Sequence, residues 1–208
     1  MKVAVITNEE LKEEFFSKNT LDGANVCIVN GPQHVPADSC VVFDLLFENT
    51  RERISLLKNF LPQPVFINAV TDTLAAIGQP FIRINAWPTF LKRHIKEISA
   101  LPAQEKIVQD VCKQLGWDYK LVPDITGLIS ARIISTIINE AYYTLNEGIS
   151  TRDEIDIAMK TGTNYPYGPF EWSKKIGLQN IYDLLHQLSR ENILYEVSAL
   201  LTNETINQ

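Results

Sequence analysis

Residues 124–172, which read DITGLISARIISTIINEAYYTLNEGISTRDEIDIAMKTGTNYPYGPFEW, indicate the fold more clearly than any other part of the chain. Apolar residues recur at helical spacing over 128–141 and surround much of the predicted helix, which indicates that this helix is well buried. Ser150 or Thr151, followed by acidic residues, predicts the start of a second helix. A turn rich in Tyr, Pro and Gly follows and ends at Phe170. This stretch therefore predicts an all-α domain.

The first half of the chain has a different pattern, in which short β-branched runs alternate with helical segments. Such alternation favours an α/β domain with a mostly parallel sheet. The pattern changes after Pro123, so we predict an α/β domain over residues 1–122 and a helical domain over residues 123–208. The predicted strands are 2–7, 25–30, 39–44, 64–68, 81–85 and 117–122, and the predicted helices outside 124–172 are 8–17, 49–60, 104–115, 178–187 and 190–202.

Composition narrows the class of protein. The chain has 208 residues, of which 45% are hydrophobic and 21% charged, as in an ordinary globular protein. A net charge of −6 argues against nucleic-acid binding, and no apolar run is long enough to span a membrane. The first strand begins directly after Met1, without the pattern of a signal peptide. Cys27, Cys40 and Cys112 lack the spacing of a metal site, and they predict free thiols in a reducing cytoplasm.

The first strand and helix occupy the place where a Rossmann fold carries its G-x-G-x-x-G loop. Thr7, Glu9 and Lys12 stand on the three glycine positions, where side chains obstruct the approach of a pyrophosphate. Glu9 and Glu10 also put negative charge at the helix N-terminus, which would otherwise attract a phosphate. Asn30 stands where an acidic residue would bind the ribose hydroxyls. We therefore predict an eroded Rossmann-like domain that binds no dinucleotide.

The helical stretch 124–172 resembles the C-terminal domain of the 3-hydroxyacyl-CoA dehydrogenases, a family that includes 3-hydroxybutyryl-CoA dehydrogenases. In that family the first helix brings a polar catalytic residue to a cleft between two domains, and Ala131 stands at that position. The family signature His-Phe-Phe-Asn-Pro lies opposite Asn-Ala-Trp-Pro here, so the resemblance places Asn85 at the catalytic histidine. Glu97 falls on the glutamate that orients this histidine, and Asp72 falls on a substrate-contacting serine.

The resemblance implies an enzyme of fatty acid metabolism, but the residues predict that its chemistry is lost. Asn85 cannot accept a proton from a substrate hydroxyl group, and Ala131 offers no hydrogen-bond donor to a thioester oxygen. We therefore expect a shortened, degenerate and non-catalytic member of the family, without NAD and without a metal. It would bind an acyl-CoA-like molecule or regulate a partner.

Two alternatives stay open. The chain could be a working NAD-dependent 3-hydroxyacyl-CoA dehydrogenase, or it could use Glu97, Asp72 or Asp44 for a different reaction. The family also forms dimers through its helical domain. The apolar character of that part of the chain predicts the same use here, in a homodimer formed mainly by residues 123–208.

Overall fold

The computed structural model describes residues 1–17 and 25–207. The chain divides into two compact units, Met1–Leu128 and Ile129–Gln208. Within the described part of the chain, no helix combines the length and the apolar character that crossing a bilayer requires.

The junction between the two units lies later in the chain than the change of sequence pattern. The sequence places it after Val122, whereas the first unit extends to Leu128. The carboxylate of Asp124 accepts hydrogen bonds from the backbone N–H groups of Leu74 and Ala75, at 2.9 and 3.2 Å. These bonds attach the segment after Val122 to the sheet domain. The first unit therefore extends beyond the last predicted strand.

The first unit contains a sheet whose strands we number in chain order. They are β1 (Lys2–Ile6), β2 (Asn25–Val29), β3 (Val41–Asp44), β4 (Val65–Ile67), β5 (Ile82–Ile84), β6 (Ile95–Ser99) and β7 (Asp118–Leu121). Their order in the sheet is β2-β1-β3-β4-β5-β6-β7. Each neighbouring pair is parallel except β5 and β6, which are antiparallel. The predicted Rossmann-like domain with a mostly parallel sheet is confirmed.

Helices pack on both faces of this sheet. They are α1 (Glu9–Phe16), α2 (Arg51–Lys58), α3 (Leu74–Ile77) and α4 (Glu105–Leu115). Because side chains alternate along a strand, Val3 and Val5 of β1 belong to the same core cluster as Phe15 of α1. Ile6 faces the opposite way and belongs to the cluster that contains Leu57 of α2. The sheet is therefore the middle of three layers.

The second unit is helical. Its helices are α5 (Ser130–Asn146), α6 (Arg152–Thr163), α7 (Pro169–Ile176), α8 (Leu178–Ser189) and α9 (Ala199–Ile206). Helix α5 is in contact with α7, α8 and α9, and its inner face is buried. The predicted all-α C-terminal domain is confirmed.

The sequence did not predict strand β6, because its residues follow a cluster of cations. In the structure Lys96 is only 3% exposed. Its ammonium group donates a hydrogen bond to the carbonyl of Arg93 and lies 5.5 Å from the centre of the Trp117 ring. This partnering allows a lysine to lie inside a strand that has neighbours on both sides.

The predicted helix over 190–202 is wrong. The chain instead forms a 3-10 turn at Ile193–Tyr195 before α9 begins. Asn139 of α5 donates a hydrogen bond to the carbonyl of Glu196 at 2.7 Å and accepts one from the backbone N–H of Ser198 at 2.9 Å. The buried Asn139 amide thus bonds the Glu196 carbonyl and the Ser198 N–H, which in a continuous helix would be bonded to other backbone groups.

Candidate functional site

The start of α1 is where a dinucleotide would bind in a Rossmann fold. Asn8 caps this helix, since its side-chain oxygen accepts the backbone N–H of the third helical residue at 2.9 Å. Glu9 and Glu10 are exposed in the first turn, and Glu9 pairs with Lys12 at 3.0 Å. Thr7 is buried and donates its hydroxyl to the Asn8 carbonyl at 3.1 Å. This helix end therefore carries its own acceptor and two carboxylates, where a pyrophosphate would need free N–H groups.

A buried ion pair closes the carboxyl end of β3, the strand beside β1. The carboxylate of Asp44 is fully buried and accepts two hydrogen bonds from Arg53 of α2, at 2.6 and 2.7 Å. Hydrogen bonding to Asp44 raises the pKa of Arg53. Burial raises the pKa of Asp44, but two-pronged binding of a guanidinium requires the ionised carboxylate, so we assign the charged pair. Asp44 thus anchors α2.

A polar cavity of about 200 Å³ lies beside this ion pair. Its lining includes Gln33, Glu48 and Glu52, together with Arg53. Since Arg53 is neutralised by Asp44, the two glutamates leave the cavity with negative charge, which is unfavourable for phosphate groups. Asn30, predicted at the ribose position, is exposed immediately after β2 and does not line this cavity.

The structure brings Asn85 and Glu97 together. The Asn85 Nδ2 donates to the Glu97 Oε2 at 3.3 Å, and the backbone N–H of Asn85 donates to the Glu97 carbonyl at 3.2 Å. Asn85 is 2% exposed, and its Oδ1 is buried without a hydrogen-bond partner in the described part of the chain. The carboxylate at the orienting position therefore touches the residue at the histidine position. This pair can exchange hydrogen bonds with a ligand, but the amide cannot carry a proton.

Arg83 determines the shape of the loop in which Asp72 lies. It is fully buried and donates to the carbonyls of Ala69 and Val70, at 2.8 and 3.1 Å, while its guanidinium pairs with Asp124 at 2.5 Å. Burial lowers the pKa of Arg83, and the charges of Asp124 and Asp72 act in the opposite direction. Asp72, predicted at a substrate position, is therefore part of the electrostatic surroundings of a structural arginine.

The carboxylate of Glu14 holds the loop that follows Asn85. Thr89 has a φ of 82°, which is unfavourable for a β-branched residue, and its backbone N–H donates to Glu14 of α1 at 2.6 Å. Burial raises the pKa of Glu14, while the Thr89 hydrogen bond and the charge of Lys92 lower it. Glu14 thus compensates a strained loop at the carboxyl edge of the sheet.

In the helical unit, the Gly-Pro-Phe-Glu turn builds a structural contact between α6 and α7. Asp156 accepts hydrogen bonds from the backbone N–H groups of Phe170 and Glu171, at 2.8 and 3.2 Å. Glu171 in turn accepts the N–H of Gly168 at 2.9 Å and pairs with Lys160 at 2.5 Å. A Cβ atom on Gly168 would collide with the Asp156 side chain. We call this group of residues the Asp156 clasp.

Two isoleucines near the start of helix α5 are exposed. Ala131, at the family's polar position, is fully buried near its start, whereas Ile129 and Ile133 are 43% and 50% exposed. An apolar cavity of about 250 Å³ opens between α5, α6 and the start of α7, all within the helical unit. The residues that line the cavity are Thr136, Ile137, Glu140, Ala141, Thr144, Ile155, Met159 and Pro169.

Sequence reasoning missed Arg83, Asp156 and Asn68. The Asn68 side chain accepts the backbone N–H of Ala86 at 3.0 Å and so fixes the loop beside Asn85. Asn68 ends the predicted strand 64–68, and a polar residue at the carboxyl end of a parallel strand is the signal that could identify it. Across residues 1–17 and 25–207, His, Cys, Asp and Glu form no group of three or more that could hold a metal ion.

Comparison with known proteins supports the class that the fold defines. Residues 127–203 match the family model described as 3-hydroxyacyl-CoA dehydrogenase, C-terminal domain. The chain is 40% identical to 3-hydroxyadipyl-CoA dehydrogenase of Escherichia coli over 76 residues, which are 36% of this chain and 16% of that protein. It is 35% identical to 3-hydroxybutyryl-CoA dehydrogenase of Bradyrhizobium diazoefficiens over 128 residues, which are 57% of this chain and 44% of that protein.

Solved structures agree in fold. The crystal structure of (S)-3-hydroxybutyryl-CoA dehydrogenase from Ralstonia eutropha superposes with a TM-score of 0.70 at 23% identity, covering 88% of this chain and 70% of that one. The two units thus have the architecture of a Rossmann-like dehydrogenase with a helical C-terminal domain. Residues 127–203 are thus similar in sequence to the C-terminal domain of the 3-hydroxyacyl-CoA dehydrogenases, and the chain shares the fold of a solved member of that family. It spans less than half the length of the two curated relatives named above.

Proposed function

We propose that this chain is a non-catalytic member of the 3-hydroxyacyl-CoA dehydrogenase family. It does not use NAD, and it acts by binding a ligand or a partner. The observation that supports the proposal most directly is that protein side chains fill the N-terminus of α1, where a pyrophosphate would bind. Asn8 already caps the helix, and Glu9 and Glu10 stand in its first turn. A pyrophosphate there would displace the cap and meet two carboxylates, so the residues present do not fit the cofactor.

The catalytic positions support the same proposal. Asn85 makes the hydrogen bond to Glu97 that a histidine would make, but it has no basic nitrogen for the substrate hydroxyl proton. Ala131 contributes a buried methyl group where a hydrogen-bond donor would stabilise the thioester oxygen. A hydride transfer here would lack three groups: the NAD that accepts the hydride, the base that takes the hydroxyl proton, and a hydrogen-bond donor to the thioester oxygen.

The test is calorimetric titration with NAD and NADH, followed by an NADH absorbance assay with short- and medium-chain 3-hydroxyacyl-CoA. We expect no saturable heat and no turnover. The variant Asn85→His, with or without Ala131→Asn, should remain inactive while Thr7, Glu9 and Lys12 occupy the glycine positions. A dissociation constant for NADH in the micromolar range would contradict the proposal.

The alternative is an active NAD-dependent 3-hydroxyacyl-CoA dehydrogenase. It is favoured by the dehydrogenase names of the relatives and by the contact between Asn85 and Glu97, which keeps the two catalytic positions within hydrogen-bond distance. Turnover by the unmodified chain in the absorbance assay decides for it. A reaction that uses Glu97, Asp72 or Asp44 would give product without NADH, although Asp44 is engaged by Arg53.

We further propose a homodimer formed by the helical unit, supported by the exposed Ile129 and Ile133 and by the adjacent apolar cavity. Light scattering should give at least twice the 23.6 kDa of one chain. Ile133→Glu should lower this molar mass by removing the contact through the helical unit, whereas the control Ile107→Glu, on α4 of the other unit, should leave it unchanged. A 23.6 kDa species for the unmodified chain would refute this part.

An acyl-CoA-like molecule is the ligand class that we propose from the family. Calorimetry with a short-chain 3-hydroxyacyl-CoA, compared with free coenzyme A, tests it independently of NAD. The cytoplasmic location, which rests on cysteine usage, stays a prediction.

A further inference from the structure

Strand β2 leaves one side of the sheet open. It pairs with β1 on one side, and in the described part of the chain no strand pairs with its other side. Its residues, Asn-Val-Cys-Ile-Val, include no charge and no proline. The opposite edge strand, β7, reads Asp-Tyr-Lys-Leu and exposes Asp118 and Lys120. Natural edge strands are protected by such charges, by proline or by bulges, so β7 is protected and β2 is not.

The composition of β2 is that of an interior strand. In the usual doubly wound order, 3-2-1-4-5-6, a further strand covers the outer side of the second one. Here the strand that follows β2 in the chain, β3, pairs on the far side of β1. Strand β2 therefore keeps β-branched residues on both faces while it occupies an edge, and Ile28 is 36% exposed.

Backbone hydrogen bonds identify which residues face the open side. The N–H of Asn25 donates to the Met1 carbonyl at 2.9 Å, and the carbonyl of Val29 accepts from the N–H of Thr7 at 3.1 Å. Both residues therefore bond towards β1. Since bonding direction alternates along a strand, Cys27 does the same, and Val26 and Ile28 direct their N–H and C=O groups outward.

We propose that a second copy of this chain pairs with β2, strand to strand, across a two-fold axis. A two-fold axis makes the two strands antiparallel, and five residues pair completely only when Cys27 faces Cys27 of the second copy. Val26 then faces Ile28 of the other copy, which forms about four backbone hydrogen bonds in two hydrogen-bonded pairs. The occupant is a second copy because this strand is self-complementary, with no like charges brought face to face.

This arrangement predicts a specific cross-link. Cys27 and its counterpart form a non-hydrogen-bonded pair, with Cα atoms about 4.5 Å apart, which is within the range of a disulfide. Diamide oxidises the two thiols to one disulfide and takes up their two hydrogens as the hydrazine. Cys40→Ser, which retains Cys27, should give a covalent dimer in non-reducing electrophoresis. Cys27→Ser, which retains the exposed Cys40, should not.

Charge exchange tests the same pairing without oxidation. In the Ile133→Glu background, which removes the helical contact proposed above, Cys27→Lys and Cys27→Glu should each be monomeric, because like charges would face each other. An equimolar mixture should associate to twice 23.6 kDa in sedimentation, since the opposite charges then pair. Circular dichroism of each variant shows whether it is folded.

Failure here is distinguishable from failure of the proposed function. Equal cross-linking through Cys40, or no cross-linking of the Cys40→Ser variant with or without Ile133→Glu, would overturn the pairing through β2. Folded charge variants that do not associate when mixed would overturn it as well. None of these results bears on NAD binding or on the contact through the helical unit.

Discussion

Replacing Gly168 with alanine should destabilise the helical unit strongly, although the backbone of this glycine is ordinary. Its φ of −75° and ψ of 167° are accessible to alanine, so backbone strain is not the cause. The cause is steric, because the new Cβ atom would overlap the side chain of Asp156. Asp156 would have to move, and its hydrogen bonds to Phe170 and Glu171 would be lost or lengthened.

The magnitude follows from these two hydrogen bonds. A bond to a charged acceptor contributes about 1.5–3 kcal/mol to the free energy of unfolding, and overpacking adds about 1–3 kcal/mol. Rotation of Asp156 can preserve one bond, and alanine regains about 0.4–1 kcal/mol through the unfolded chain. We therefore expect Gly168→Ala to cost about 2–5 kcal/mol, which lowers the melting temperature by about 4–20 °C for a chain of this size.

Gly162→Ala is the matched control. Gly162 lies in α6, where an added Cβ meets no atom within 4 Å, so alanine should stabilise by about 0.5–1 kcal/mol through its higher helix propensity. Thermal and urea unfolding, followed by far-UV circular dichroism, measures both variants. Equal stability of Gly168→Ala and the unmodified chain would show that the Asp156 clasp does not constrain the turn, and the steric reasoning would be wrong.

Further predictions concern the sheet domain. Arg83→Met should cost about 3–5 kcal/mol in urea unfolding, since it removes the ion pair with Asp124 and the hydrogen bonds to three backbone carbonyls, whereas the exposed Arg51→Met should change stability little. Burial raises the folded-state pKa of Glu14 above its ordinary value, so its contribution to stability is full below pH 4.5 and is lost as pH rises through the folded pKa. The free energy of unfolding of Glu14→Gln should therefore rise relative to that of the unmodified chain between pH 4 and pH 8. A difference in stability that does not change with pH would refute this. Burial raises the pKa of Cys112 to about 12, so Cys112 should react with a thiol reagent at pH 8 only on unfolding, well after Cys40.

The inner strands β1 and β3 to β5 were predictable from sequence because they are mostly apolar and buried. β1 and β3 are buried on both faces and read as continuous β-branched runs, which is the signal of a parallel sheet. β6 was not predictable, since its strand pattern contains Lys96, and the burial of this lysine depends on contacts from elsewhere in the fold, including the Trp117 ring and a backbone carbonyl. Helix α7 was not predictable from these residues, because the preceding Tyr, Pro and Gly residues are typical of a turn, although Gly168, Pro169 and Glu171 form a helix-start pattern.

Much less of the candidate site was predictable. The positions of Asn85, Glu97 and Ala131 came from the resemblance, whereas their contacts came from the structure. The antiparallel pairing of β5 and β6 brings Asn85 beside Glu97, and the sequence did not reveal that pairing. Likewise, neither composition nor spacing indicates that Arg83 reaches across to Asp124, since the two residues are far apart in the chain.

The buried charges of the sheet domain give a physical reason for the proposed loss of activity. A charge at the carboxyl edge of such a sheet is costly unless a ligand or a protein group compensates it. Asp44 has Arg53, and Arg83 has Asp124 and three carbonyls, whereas Glu14 has a backbone N–H and a lysine for one oxygen while its Oε2 is buried without a hydrogen-bond partner in the described part of the chain. The two arginine–aspartate pairs are thus complete within the sheet domain, without any contribution from a cofactor. Removing one partner of such a pair should therefore lower the free energy of unfolding equally with and without NADH. A variant whose lost stability is recovered when NADH is added would contradict this, because NADH would then bind beside the ion pairs.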